Sequence, residues 1–263
     1  MINTGLVSVT FRELDPEAII DLVAQAELDA IEWGGDVHVP HGDVRRARTV
    51  RAMTADAGLR TPSYGSYYRA GHTGDVAFSA IVDTAIALGA SVIRIWAGRQ
   101  GSAEADEAYG QRVVADSRRI ADLAGEAGLS VAYEFHNNTL TDTYESARAL
   151  LQRVDRANVK VYWQPPAGLS IEENLAGLER ILRWLANVHV QSTHVVAGEP
   201  HRAPLSANAD AWQRYLEKIA SIAGDHFAML EFVQGDTPEQ FLEDAAVLKT
   251  WVAPYAPDLP VTV

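Results

Sequence analysis

The chain is expected to fold as a single-domain (β/α)8 barrel, an α/β architecture, and three features carry that expectation. Short β-rich runs alternate with amphipathic segments eight times along the 263 residues. The phrases AGLR, LGAS and AGLS lead from helix ends straight into strands, which is the short Gly-capped connection of a repeating unit. An open doubly wound sheet would call for a Gly-rich phosphate turn after the first strand, and no GxGxxG stands there.

The elements follow in order. The first strand spans Gly5 to Phe11 and its helix Pro16 to Leu28, where Ile19, Ile20, Leu22 and Val23 recur at helical spacing. DAIEWGG is the second strand, followed by a helix from Val44 to Ala57 that Gly58 stops. TPSYGSYY precedes a helix from Ala77 to Leu88, and SVIRIWAG precedes one from Asp106 to Ala127. SVAYEFHNN (Ser130 to Asn138) leads to a helix from Thr143 to Val154, and VKVYWQPP to one from Ile171 to Leu185. NVHVQS is the seventh strand, with a helix from Ala209 to Ala223. HFAMLEFV (His226 to Val233) is the eighth, backed by Pro238 to Trp251. Pro254, Pro257 and Pro260 make 253–263 an extended tail, and one domain covers 1–263.

Composition narrows the function. A net charge of −13 excludes the basic stripe a nucleic-acid partner needs, and gives no support to anionic-membrane binding. With no cysteine, disulfides, thiolate catalysis and cysteine metal sites are excluded. The start, MINTGLVSVTF, lacks the pattern of a signal peptide, so a cytoplasmic location is expected.

Barrel active sites lie where strands end, so those residues are the candidates. They include Glu32, Trp33, His38, Tyr64, Tyr67, Arg69, Arg94, Trp96, Glu134, His136, Asn137, Asn138, Trp163, Gln164, His189, Gln191 and Glu231. Glu134 and Glu231 sit in otherwise apolar strands, where an idle carboxylate would be costly to bury. His189 by itself also fits a satisfied core histidine, and Gln164 by itself an amide bonded to backbone. Arg94 fits a structural guanidinium paired with a barrel carboxylate. Taken as a set, Glu134, Gln164, His189 and Glu231 suit one divalent cation: Mn²⁺, Mg²⁺, Co²⁺ or Zn²⁺. Trp184, Trp212 and Trp251 read as helix packing. Trp33, Trp96 and Trp163 end strands, where flat rings suit the apolar faces of a sugar as well as a core.

Glu134 in YEFH, His189 in VHVQ, the segment HRAPL and Glu231 in LEF follow one another in an order that resembles the xylose isomerase-like TIM barrel superfamily. Within it, the chain is most similar to the sugar phosphate isomerase/epimerase group. The resemblance implies one divalent metal on Glu134, Gln164, His189 and Glu231, with Glu134 and Glu231 moving the proton next to a carbonyl. It implies substrate contacts at His136, Asn137, Asn138 and Arg202, and a second wall from His38, Tyr67 and Trp96; Trp163 is a further candidate substrate contact by its flat ring. The expected function is a metal-dependent isomerase or epimerase acting through an enediolate on a small carbohydrate, with homo-oligomers common in the group. A lyase eliminating a group β to the carbonyl of a keto-sugar glycoside, and a non-catalytic binding subunit, stay open as alternatives. The group writes its sixth-strand motif Asp-Pro-x-His, whereas this chain has Gln164-Pro165-Pro166-Ala167. An amide there removes one charge from the ligand set and predicts weaker cation affinity.

Overall fold

The computed structural model describes residues 1–72, 74, 76–196 and 199–256; of the expected extended tail, Ala253–Tyr255 forms a 3-10 turn continuing the last helix instead, and residues 257–263 lie outside the described residues. Its strands are β1 (Ile2–Val7), β2 (Ala30–Gly34), β3 (Ser63–Arg69), β4 (Val92–Trp96), β5 (Ser130–Glu134), β6 (Val159–Trp163), β7 (Leu185–Val190), β8 (Thr193–Val196), β9 (Glu199–Arg202) and β10 (His226–Leu230). Eight of them, all parallel neighbours, close a barrel in the order β1-β10-β7-β6-β5-β4-β3-β2. β8 and β9 form a separate antiparallel hairpin.

Eight α-helices alternate with the barrel strands: α1 (Pro16–Gln25), α2 (Val44–Asp56), α3 (Phe78–Leu88), α4 (Glu107–Glu126), α5 (Tyr144–Val154), α6 (Ile171–Ile181), α7 (Ala209–Ala220) and α8 (Pro238–Val252). Their starts are written in the sequence. Asp15, Asp106, Thr143 and Thr237 each accept a backbone N–H of the first turn, and Ser170 with Glu173 closes a reciprocal capping box. Gly58, expected to stop α2, adopts φ +76°, a conformation open to it because it lacks a Cβ. Among the described residues, no helix is long and apolar enough to cross a membrane.

Strand alternation sorts the side chains into two layers. Leu6, Ile31, Ile93, Val131 and Leu230 face outward into the core shared with the helices. Val7, Ala30, Ala132, Tyr162, Phe227 and Met229 pack together as a second cluster that fills the barrel interior. Several strands stop earlier than expected. β1 ends at Val7 and passes into a 3-10 turn over Ser8–Phe11, β5 ends at Glu134 rather than Asn138, and β10 at Leu230 rather than Val233. Glu231 therefore stands one residue beyond its strand, its amide still bonded to the Val190 carbonyl of β7 at 3.0 Å.

Candidate active site and cation site

At the C-terminal end of the barrel the inward positions turn from apolar to charged. Glu32 from β2, Arg94 from β4, Glu134 from β5, His189 from β7 and Glu231 after β10 are all buried there. Arg94 joins two of the carboxylates: its Nε lies 2.6 Å from Glu32 Oε1, and its Nη1 donates to Glu134 Oε2. Trp96 Nε1 donates to the same Glu134 oxygen at 2.6 Å. Glu32 also accepts from Ser63 Oγ at 2.7 Å. The guanidinium fits because β3 has no side chain beneath it. A Cβ on Gly65 would stand 2.6 Å from Arg94 Nη2.

His189 is the pivot of the cluster. Its Nδ1 lies 3.2 Å from Glu231 Oε2 and 3.7 Å from Glu134 Oε1, and its Nε2 lies 3.6 Å from Glu32 Oε1. Neither ring nitrogen has a hydrogen-bond partner, although both are fully buried. Burial works to lower the imidazole pKa, but Glu231, Glu134 and Glu32 outweigh it and hold it well above its ordinary value. Burial likewise works to raise Glu134, but Arg94 and His189 bring it down to about 2. Glu32 is held far below the usual carboxylate range in the same way, burial being overcome by Arg94 and His189.

These residues fit a divalent cation. Among the described residues, Glu134, His189 and Glu231 bring ligand atoms within 4.8 Å of one another. The orphaned Nδ1 faces the two carboxylate oxygens, while Nε2 lies on the Glu32 side of the ring. With His189 neutral, three carboxylates and one guanidinium leave two negative charges for a dication to balance. Two carboxylates and an imidazole are ligands for hard to borderline metals.

The cluster opens into a cavity of about 430 Å³, within the range of small-molecule sites. Arg12, Tyr67, Trp96, His136, Gln164, Gln191 and Phe232 are among its walls. Tyr67 and Phe232 sit in the left-handed region, at φ 55° and 58°, a strained conformation for bulky residues that tends to occur at functional sites. The Trp96 ring lies 5.2 Å from Tyr67 and 5.0 Å from His136.

The sequence candidates fall into two groups around these walls. Glu134, Glu231, Gln164, Tyr67, Trp96 and His136 line the cavity. His38 does not, because its ring bonds Ser8 Oγ at 2.9 Å and the Leu14 carbonyl at 3.2 Å, which makes it a strut beneath the first loop. Trp163 points outward into the helices against Trp212 and Tyr215, its Nε1 donating to Tyr144 Oη at 3.1 Å. Asn138 is exposed at φ 60°, and its neighbour Asn137 meets the cavity instead. Arg202 stands behind Phe232, 4.4 Å from its ring, and pairs with Asp236.

Gln164 reaches the site in an unexpected orientation. Its Nε2 donates to the Phe135 carbonyl at 2.7 Å and lies 3.2 Å from Glu134 Oε1, while its Oε1 accepts from Gln191. Glu32, Arg12 and Gln191 were not assigned roles from sequence. Glu32 carries the same signal as Glu134, a lone carboxylate in an apolar strand.

Comparison with known proteins identifies the fold and the family. One curated relative, a 3-dehydroshikimate dehydratase of Bacillus anthracis, is 28% identical over 159 residues, which is 53% of this chain and 55% of that one. The match thus spans about half the relative's length. Among solved structures, the probable 3-DHS dehydratase involved in petrobactin synthesis from Bacillus anthracis superposes with a TM-score of 0.79 at 20% identity, covering 95% of this chain and 99% of that one. A D-psicose 3-epimerase, solved in the presence of D-fructose, superposes at 0.69 with 17% identity over 95% and 99%. At these identities both likenesses speak for the fold. The profile of the xylose isomerase-like TIM barrel family matches residues 20–251, and the chain belongs to that family.

Proposed function

We propose that the cavity removes a proton from the carbon next to a carbonyl of a small polyhydroxylated substrate and then expels a β-hydroxyl as water, a lyase reaction. The observation carrying this reading is the Glu134–His189–Glu231 cluster, whose two carboxylates line the cavity while His189 is buried behind them. A divalent cation bound there supplies Lewis acidity to the substrate carbonyl, making the adjacent C–H more acidic.

The two carboxylates are not equivalent, and this favours elimination. Glu134 is held ionised by Arg94 and Trp96, which makes it a ligand and a weak base. Glu231 has no such clamp, since His189 is its only ion-pair neighbour among the described residues. One carboxylate outside the Arg94 clamp suits abstraction followed by loss of a leaving group, whereas epimerisation through two carboxylates needs both to exchange protons. Glu231 takes the α-proton, the C–O bond at the β-carbon breaks as the double bond forms, and His136 protonates the departing hydroxide. Tyr67, Trp96 and Phe232 wall the reacting carbon from bulk water. The 3-dehydroshikimate dehydratase relative supports the same class of step. Epimerisation is the second reading, supported by the structural likeness to D-psicose 3-epimerase.

The test is incubation with Mn²⁺ in D₂O, using 3-dehydroshikimate in one arm and D-fructose in the other. Loss of water from the first, with a rise in ultraviolet absorbance as conjugation develops, is the expected result. Glu231→Gln should slow it by about 10³-fold. Deuterium exchange into the ketose without fragmentation would favour the second reading. Activity unchanged in Glu231→Gln would overturn both.

A further inference from the structure

We propose that Arg12 is a specificity-determining residue whose guanidinium receives a carboxylate carried by the substrate, so that the site selects hydroxylated keto acids over neutral ketoses. This deepens the elimination reading above and rests on its cavity.

The charges on the cavity walls carry the inference. Glu134, Glu231 and Asp142 line it, and its two arginines are Arg12 and Arg94. Arg94 is buried against Gly65 and committed to Glu32 and Glu134. Arg12 differs, because its side chain is 48% exposed and its one ion-pair partner among the described residues is Asp36, with Nη2 2.5 Å from Oδ2. Asp36 stands outside the cavity walls. It takes one of the five N–H donors, and an exposed pair of this kind holds weakly, so the guanidinium can accept a second carboxylate. The Asp36 hydrogen bond also raises the Arg12 pKa, which keeps the group cationic.

The backbone beneath Arg12 is well anchored. The residue follows directly on the Ser8–Phe11 turn. Within that turn, Ser8 Oγ accepts the Gly34 N–H at 2.9 Å and Thr10 Oγ1 accepts the Phe232 N–H at 3.0 Å. Phe11 packs edge-on against Phe241. In the closed ring β1 and β5 are four strands apart, so Arg12 and His136 stand on opposite sides of the mouth. A carboxylate held by the guanidinium fork fixes one end of the substrate and directs its hydroxylated end toward His136, the acid of the elimination. Asp142 follows β5 as well, and its charge disfavours the reversed pose.

The experiment compares 3-dehydroshikimate with its methyl ester as substrates in Mn²⁺. Calorimetry in parallel compares binding of 3,4-dihydroxybenzoate with that of 3,4-dihydroxybenzamide. Wild type is set beside Arg12→Gln, Arg12→Lys and the double variant Arg12→Gln/Asp36→Asn, which strands no charge. Arg12→Gln is expected to raise KM for the acid by about 10- to 100-fold with little change in kcat, the effect of a lost charged hydrogen bond. The preference for acid over ester, and for benzoate over benzamide, should fall by the same factor. Arg12→Lys should recover part of it, and the double variant should stay impaired. Equal losses for acid and ester, or a preference that survives in Arg12→Gln, would overturn the assignment and leave Arg12 a strut for Asp36. Wild type binding the benzoate no better than the benzamide would overturn it too. If wild type turns over neither substrate, yet Arg12→Gln weakens the benzoate selectively, the elimination reading falls and the carboxylate anchor stands.

Discussion

Arg94 shows how much one residue can hold. It is 1% exposed and ties Glu32 to Glu134 across β3. Removing it strands two buried carboxylates, and Arg94→Met is expected to destabilise the fold by about 3–5 kcal/mol, read as a lower urea midpoint. Gly65→Ala tests the same contact from the opposite side. Its new Cβ would press on Arg94 Nη2 at 2.6 Å and Glu32 Oε1 at 3.1 Å. A loss of about 1–3 kcal/mol is expected, with weaker Mn²⁺ binding as Glu134 loses its hold. An unaltered midpoint in this variant would mean the guanidinium has room to move. Glu134, Glu231 and His189 were legible in sequence because charge inside an apolar strand needs a reason. Glu32 and Arg94 bear the same mark, but their pairing spans 62 positions and exists only once the barrel closes. The rings were harder to read. A strand end gives no face, and because Tyr162 points inward, Trp163 beside it points outward.

The strands and helices were largely visible in the sequence because period, caps and glycine stops agree in each unit. The capping box of α6 is a direct test of that local code. Ser170→Ala removes the acceptor for the Glu173 amide and should cost about 1 kcal/mol, or about 2–4 °C in melting temperature for a chain of this size. Retention of the full melting temperature would mean that packing alone fixes the start of α6. The β8–β9 hairpin escaped notice: its THVV and EPHR segments are four residues each, too short for a period, and one contains a proline. The early ends of β1, β5 and β10 were missed for a related reason. Apolar residues continue past the strand ends at Val9, Phe135 and Val233, all of them buried, so hydrophobicity alone does not mark where these strands stop.

At the scale of the whole molecule, histidines away from the site should set how the fold responds to acid. Burial lowers the pKa of His38, His41 and His226, and His226 Nε2 is buried with no partner. The unfolded chain takes up these protons near about pH 6.5, before the folded chain does. Their contribution to stability is therefore present above that pH and lost as the pH falls through the lower folded values. His189 works in the opposite direction, its raised folded value favouring the fold below about pH 6.5. His226→Gln separates the two: the drop in urea midpoint between pH 7.5 and 5.5 should shrink in the variant, and an identical drop would exonerate His226.

Because the positive charge of Arg94 is covalently tethered and cannot titrate away, the mouth of the barrel contains a resident cation whatever else comes and goes. Stripping the protein with EDTA should leave its far-ultraviolet dichroism intact, and adding Mn²⁺ back should restore turnover without a refolding step. A chain built this way can be emptied and refilled, a socket rather than a metal-nucleated fold.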